Sequence, residues 1–340
     1  MGDGMCKWVF ARYEPSEWEK QWYAGEWSGE RSGHECQFLT SLEGVDRSVR
    51  MVRSVQGAVL RREAIARDAI GLFSRMVYTQ RCGTAMKATG RTRAQLIEPL
   101  VGFLRDPITI CPRPPGIPDD VYSTFAKGED SAQSKRHYLI GPAAPWSQTP
   151  NNPATWRIGG FGPWERNGAS KAQAPRAHQN ILMDLGASVY SGWHGIETAV
   201  GAWWIVERSK KHTVDFDWIV SFELEKIDPD TLFASVPAAL LPHYVYFNQG
   251  VDKAPEGRWN PWRILQGMGA LADDYVVVKL DIDNPEIEDA LVDQILKSPT
   301  LFGLIDEMYM ERHAPTDYTK VTYRIFTEMR SKGIRMHAWP

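Results

Sequence analysis

Apolar and polar positions alternate along this chain in two different ways. From Pro175 onward, short apolar runs take turns with stretches of helical period. The runs at 181–186, 218–223, 244–247, 275–281, 304–310 and 334–338 read as strands. The intervening segments 195–211, 229–240, 261–272, 285–297 and 318–332 read as helices. Strands alternating with helices imply right-handed β-α-β crossovers and a mostly parallel sheet. A parallel strand buried on both faces should be a continuous apolar run, as at Tyr275-Val276-Val277-Val278-Lys279-Leu280. The expected fold over 177–340 is therefore a Rossmann-like α/β sheet with helices on both faces.

The first half of the chain reads differently. Val45, Val49, Val52, Val59, Ile70, Phe73 and Val77 recur at helical spacings over 45–78. A second helix is expected over 92–104, stopped by Asp106-Pro107. Residues 108–111 read as a short strand, and 1–44 as an irregular, Trp-rich arm with one short helix. Residues 1–111 are thus expected to be mainly helical and irregular. Residues 112–176 are dense in Pro, Gly, Ser and Asn and read as loops or a linker around one strand at 138–140.

Composition changes this picture in three places. The formal net charge of the 340 residues is −3, which gives no overall case for a nucleic-acid partner. Residues 45–105 nevertheless hold 12 Lys/Arg against 4 Asp/Glu. That excess reads either as an anion-binding face or as a solvated helix face. The four cysteines, Cys6, Cys36, Cys82 and Cys111, lie in the first third with no C-x-x-C pair. Structural zinc uses close ligand pairs, so no metal is expected, and disulfides and buried thiols both remain open. No apolar run is long enough to span a bilayer, and Met1 opens no signal-peptide pattern. A cytoplasmic protein is favoured, with a secretory lumen as the alternative.

Ligands of open parallel α/β sheets bind beyond the carboxyl ends of the strands. The residues expected there are Asp184, Gly186 and Ser188 after the first strand and Glu223 after the second. Asn248 follows the third, Asp281 and Asp283 the fourth, and Glu311 and His313 the fifth. A glycine after the first strand lets backbone approach a ligand closely. An acid ending the second strand, 39 positions after Asp184, suits the two hydroxyls of a ribose. The loop lacks the G-x-G-x-x-G phosphate fingerprint, so a nucleoside ligand without phosphates fits it better. Asp281, Asp283, Glu311 and His313 also offer a minority alternative, an oxygen-rich cation site.

These residues resemble a family. Val278-Lys279-Leu280-Asp281-Ile282-Asp283-Asn284-Pro285-Glu286 is similar to the K-I-D-V-E-G-x-E segment of FkbM-type methyltransferases. Residues 181–186 resemble their first cofactor motif, Val220–Glu223 their acidic second-strand end, and 304–311 their fifth strand. The form is the one this domain takes in a set of algal and protist proteins. The resemblance covers about half the chain. It implies a class I methyltransferase sheet and an S-adenosylmethionine-dependent methyltransferase, with O-methylation of a sugar or another small hydroxylated acceptor. On this pattern Asp184, Gly186, Ser188, Glu223 and Asn248 would contact the cofactor. Asp281, Asp283 or His313 would be the catalytic base. Two departures stand out: Ala187 and Ser188 follow Gly186 where the family places further glycines, and Asp283-Asn284 replaces its Glu-Gly pair. They motivate an alternative, a degenerate methyltransferase fold serving as a binding or interaction module. A third idea assigns the basic N-terminal stretch to nucleic-acid modification.

Overall fold

The computed structural model describes residues 6–17, 19–20, 73–83, 85–100, 178–191, 202–210, 214–311 and 318–339. Two sheets organise them. The first is antiparallel, in the order β1 (Cys6–Glu14), β2 (Ser74–Cys82), β3 (Lys87–Ile97). The second is parallel and six-stranded. Its strands are β4 (Asn180–Leu185), β5 (Trp218–Phe222), β6 (Tyr244–Phe247), β7 (Tyr275–Leu280), β8 (Glu307–Met310) and β9 (Arg335–Ala338). They lie in the order β6-β5-β4-β7-β8-β9. Numbered within the sheet, this is 3-2-1-4-5-6, an order compatible with a Rossmann-like fold. The order reverses between β4 and β7, which leaves a crevice above their carboxyl ends.

The helices are α1 (Trp203–Lys210), α2 (Pro229–Ala234), α3 (Pro261–Gly267), α4 (Pro285–Lys297), α5 (Pro299–Phe302) and α6 (Tyr318–Ser331). Four of them begin alike, with a capping side chain followed by proline. Asp228, Asn260, Asn284 and Ser298 accept backbone N–H bonds from the first turns of α2, α3, α4 and α5. Each cap satisfies donors that the helix itself cannot, and proline fits the first position because its missing N–H would be idle there.

Side chains alternate across a strand. Met183, Phe222, Val278 and Met308 share one face with Trp262 of α3, Leu291 of α4 and Phe326 of α6. The opposite face meets α1, whose Trp204 packs edge-on against Tyr309 at a 6.0 Å centroid distance. Helices therefore cover both faces. This second face is unusually polar. The strand register aligns Tyr246, Ser221, Asp184, Lys279, Tyr309 and His337 in one row across all six strands.

The parallel half agrees with the expected element order, except that α2, α3 and β8 are shorter than expected and the short α5 was not expected. The N-terminal half requires a correction. The helices expected over 45–78 and 92–104 are replaced, where they are described, by β2 and β3. Phe73 and Val77 are four apart, a spacing that fits two strand repeats as well as one helical turn. Both faces of β2 carry buried apolar groups, since Met76, Val77 and Tyr78 are all buried. The irregular arm likewise contains β1. The remaining expectations for 1–111, the strands at 108–111 and 138–140 and the loops over 112–176 lie outside the described residues.

A buried ionic network joins the two sheets. His337 of β9 places Nδ1 2.7 Å from Glu98 Oε1 and Nε2 2.7 Å from Glu307 Oε1. Glu307 also accepts bonds from Tyr275, Tyr309 and Arg335. Arg330 of α6 donates to the Glu98 carbonyl and carboxylate and to the Tyr13 hydroxyl. Glu19 accepts from Tyr13, Ser74 and the Leu100 N–H. Three carboxylates thus face two guanidinium groups and one imidazole, all buried. The charges balance when His337 is an imidazolium, the form that donates from both nitrogens.

Burial opposes that charge, yet Glu98 and Glu307 hold the His337 pKa above its ordinary 6.5. Burial likewise opposes ionisation of Glu307, but Arg335 and His337 pull its pKa down to about 2. The His337 contribution to stability is complete below pH 6.5 and is lost as pH rises through its elevated pKa. The Glu307 contribution is complete above its ordinary 4.5 and is lost as pH falls towards 2. Urea midpoints measured against pH should show a plateau between these limits and an alkaline decline. His337→Ala, which removes the cation shared by two buried carboxylates and leaves each with one guanidinium, should cost about 3 kcal/mol on the plateau. His337→Gln should remove the alkaline decline, and an unchanged decline would rule out His337 as its source.

Candidate functional site

The site lies where β4 and β7 part. Leu185 is the last residue of β4, and the Asp281 N–H donates to its carbonyl across the gap. The chain then turns at Gly186, whose φ is +85°. A Cβ added there would lie 1.7 Å from the Asp281 carbonyl oxygen. Only glycine permits both the conformation and the approach. Ser188 and Asp283 follow with φ of +47° and +54°. Non-glycine residues rarely occupy this region, and such positions cluster at ligand sites.

Five hydrogen bonds fix the 186–188 loop. The Gly186 and Ala187 N–H groups both donate to the Phe222 carbonyl at 3.0 Å. Lys279 Nζ donates to the Gly186 carbonyl at 2.8 Å. Glu223 Oε2 accepts the Ser188 N–H at 2.8 Å. The Tyr246 hydroxyl donates to the Ser188 carbonyl at 3.0 Å.

Lys279 is fully buried between two carboxylates, with Nζ 3.3 Å from Asp184 Oδ1 and 3.1 Å from Asp281 Oδ2. Burial works against its charge, but Asp281 and Asp184 hold its pKa above the ordinary lysine value. Burial also raises the Asp184 pKa, and Lys279 only partly offsets this. The Asp184–Lys279 contact is an ion pair lying off hydrogen-bond geometry, so neither Asp184 oxygen has a hydrogen-bond partner. Three more buried groups nearby share that condition: Ser221 Oγ and the Tyr190 and Tyr244 hydroxyls. Tyr190 and Tyr244 pack edge-on at 6.0 Å, and Ser221 lies close to Tyr244 without reaching bonding geometry. Burial raises the pKa of both phenols, so they remain neutral donors. Such orphaned groups in one place are costly unless something completes them.

The residues expected from sequence fall into three groups. Asp184, Gly186, Ser188, Glu223 and Asp281 converge around the turn. Asn248 is nearby, but its side chain serves the backbone: it donates to the Glu223 and Glu225 carbonyls and accepts the Ile227 N–H. Asp283 is exposed beside the N-cap Asn284 of α4. His313 lies outside the described residues. Two contributors were missed, Lys279 and Tyr246. A lysine inside a continuous apolar strand was the available signal, since a buried charge must be paired. Tyr246 gave none, because its role depends on the register of β6 with β5. Among the described residues, no group of His, Cys, Asp and Glu gathers to hold a metal ion. No described helix is long and apolar enough to cross a membrane.

Comparison with known proteins adds no identity: no protein family, no curated protein sequence and no solved structure matches the chain.

The turn makes two mutational predictions. Gly186→Ala should lose at least about 2 kcal/mol of stability, since it adds a left-handed alanine to a backbone clash. Lys279→Met should destabilise by about 3 kcal/mol or more at neutral pH, because it leaves two carboxylates without their cation. Adding Asp184→Asn to Lys279→Met should recover part of that loss in the same urea titration. Strict additivity of the two substitutions would contradict the proposed coupling.

Proposed function

We propose that the crevice above β4 and β7 takes S-adenosylmethionine and that the protein methylates a small hydroxylated acceptor such as a sugar. The observation that carries this reading is the pairing of Gly186 with Glu223. The glycine keeps the turn free of side-chain bulk, and the acid stands at the tip of the neighbouring strand, 2.8 Å from the same turn. That arrangement suits an adenosine with free ribose hydroxyls. The missing phosphate fingerprint argues for a cofactor without phosphates. The resemblance of 278–286 to the FkbM segment supports methyl transfer in particular.

The protein's part in such a reaction is placement and proton removal. Lys279, Glu223 and Tyr246 hold the turn rigid, and rigidity keeps donor and acceptor aligned. Asp281 is committed to the buried Lys279 ammonium, 3.1 Å from its Nζ. Asp283, exposed at the mouth, is the better placed of the two described carboxylates to accept an acceptor's proton. Asp184 lies beneath the turn and acts through Lys279.

One set of contacts favours a second reading, a binding module without turnover. Both Glu223 oxygens already accept backbone N–H bonds, from Ser188 and Glu225. Asn248 is likewise engaged by backbone. A ribose would have to share or displace these bonds.

Calorimetric titration with S-adenosylhomocysteine separates the readings. Saturable binding is expected, weakened about tenfold or more by Glu223→Ala. No heat at about 1 mM ligand, equivalent to a binding free energy weaker than about −4 kcal/mol, would end the cofactor proposal. Binding without methyl transfer to any hydroxylated acceptor would leave the second reading standing.

A further inference from the structure

The three-stranded sheet extends past its own core. Its inner half packs Met76, Tyr78 and Ile97 together with Phe10 and Tyr13. Its outer half is solvated: residues 87–92 of β3 are all exposed, and so is Arg81 of β2. A strand normally gains its stability from a buried face. Here the outer half is held instead by the Cys6–Cys82 disulfide, which crosslinks β1 and β2, and by Arg93 lying over the Trp8 ring at 4.8 Å.

Its charge is one-sided. Between Ser74 and Ile97 the chain carries Arg75, Arg81, Lys87, Arg91 and Arg93 and no acidic residue. Glu14 neutralises Arg75 at 2.8 Å. Arg81, Lys87 and Arg91 have no ion-pair partner among the described residues. Cys82 pairs with Lys87, and Arg81 with Ala88, so Arg81 and Lys87 sit in successive pairs and place cations on opposite faces of the solvated ribbon. Protection of an exposed edge explains cations on β3, but not Arg81 on the middle strand.

We propose that this disulfide-stapled ribbon binds an anionic glycan chain, one bearing sulfate or carboxylate groups. The unpaired cations set the charge of the partner. The disulfide sets its kind, because such bonds persist in oxidising compartments, where anionic glycans abound and nucleic acid is scarce. The exposed Thr92 hydroxyl supplies a polar contact suited to sugar hydroxyls, while the Thr89 hydroxyl is engaged with Gln80 and the Arg91 N–H inside the hairpin. The inference is independent of the cofactor proposal, and its readout involves no methyl transfer.

The test uses the intact, oxidised chain with heparin, polygalacturonate and a 20-base-pair DNA duplex of mixed sequence as probes, each titrated from about 0.05 to 0.3 M salt. The key variant is Arg81→Ser/Lys87→Ser/Arg91→Ser. Its control, Lys20→Ser/Lys210→Ser/Lys297→Ser, removes equal charge from exposed ion pairs elsewhere. Thermal midpoints establish that both variants fold. At least one glycan should bind, with affinity falling steeply with salt. The ribbon variant should weaken it about tenfold or more and lower the log–log salt slope by roughly two to three, close to one for each lost cation. The control should change affinity less than about twofold. Absence of glycan binding at low salt, equal losses in the two variants, or tighter binding of the duplex than of either glycan would each overturn the proposal.

Discussion

A single buried ammonium carries much of the parallel domain's organisation. Lys279 stands in the strand beside the crevice, removed from water, and holds three groups at once: Asp184 of β4, Asp281 after β7 and the Gly186 carbonyl of the turn. A lone buried charge would be prohibitively costly. Two carboxylates make it tolerable, and they in turn depend on it. Strands β4 and β7 are thereby tied on the side of the crevice where the order of strands reverses. The left-handed residues at 186, 188 and 283 cluster around this tie. Strain of that kind persists only where the surroundings over-determine it.

The same sheet face connects this centre with the N-terminal sheet. The polar row passes from Asp184 and Lys279 through Tyr309 to His337, whose far nitrogen meets Glu98 at the end of β3. Apolar packing could have joined the two sheets with less demand on geometry. Ionic partners demand a particular arrangement, because a half-satisfied network is worse than none. The network therefore specifies one docking of the antiparallel sheet on β9 and α6. The orphaned hydroxyls of Tyr190, Ser221 and Tyr244 lie towards the other end of that row, near Asp184.

Much of the parallel half was legible in the sequence, because its signals are local. Continuous apolar runs marked β4, β5 and β7, and the expected helix starts at Pro229, Pro261 and Pro285 are those of α2, α3 and α4, whereas α5 was not expected. The strand-end positions of Asp184, Gly186 and Glu223 followed from those assignments. The antiparallel sheet was not legible. Val77 fits a helical period when read with Phe73, and only the tertiary packing of β2, covered on both sides, reveals it as a strand. Gln95, Leu96, Ile97 and Glu98 are consecutive and all buried. That pattern imitates a buried helix in sequence, while its cause is a network built by residues more than two hundred positions later. Lys279 was visible as an anomaly, but its partners became clear only with the register.

The Cys6–Cys82 bond has a mechanical consequence. Strand β1 is fixed at one end by sulfur and, near the other, by Tyr13 in the ionic network. Ser16 and Ser74 meet at that second end, where the Ser16 N–H donates to the Ser74 hydroxyl. The end of β1 and the start of β2 thus meet at one point. Tension entering the chain ahead of Cys6 would cross to β2 through the covalent bridge, and the ladder between the two strands would be shielded from it. The ribbon is built like a braced beam, able to take a load at its free end without peeling.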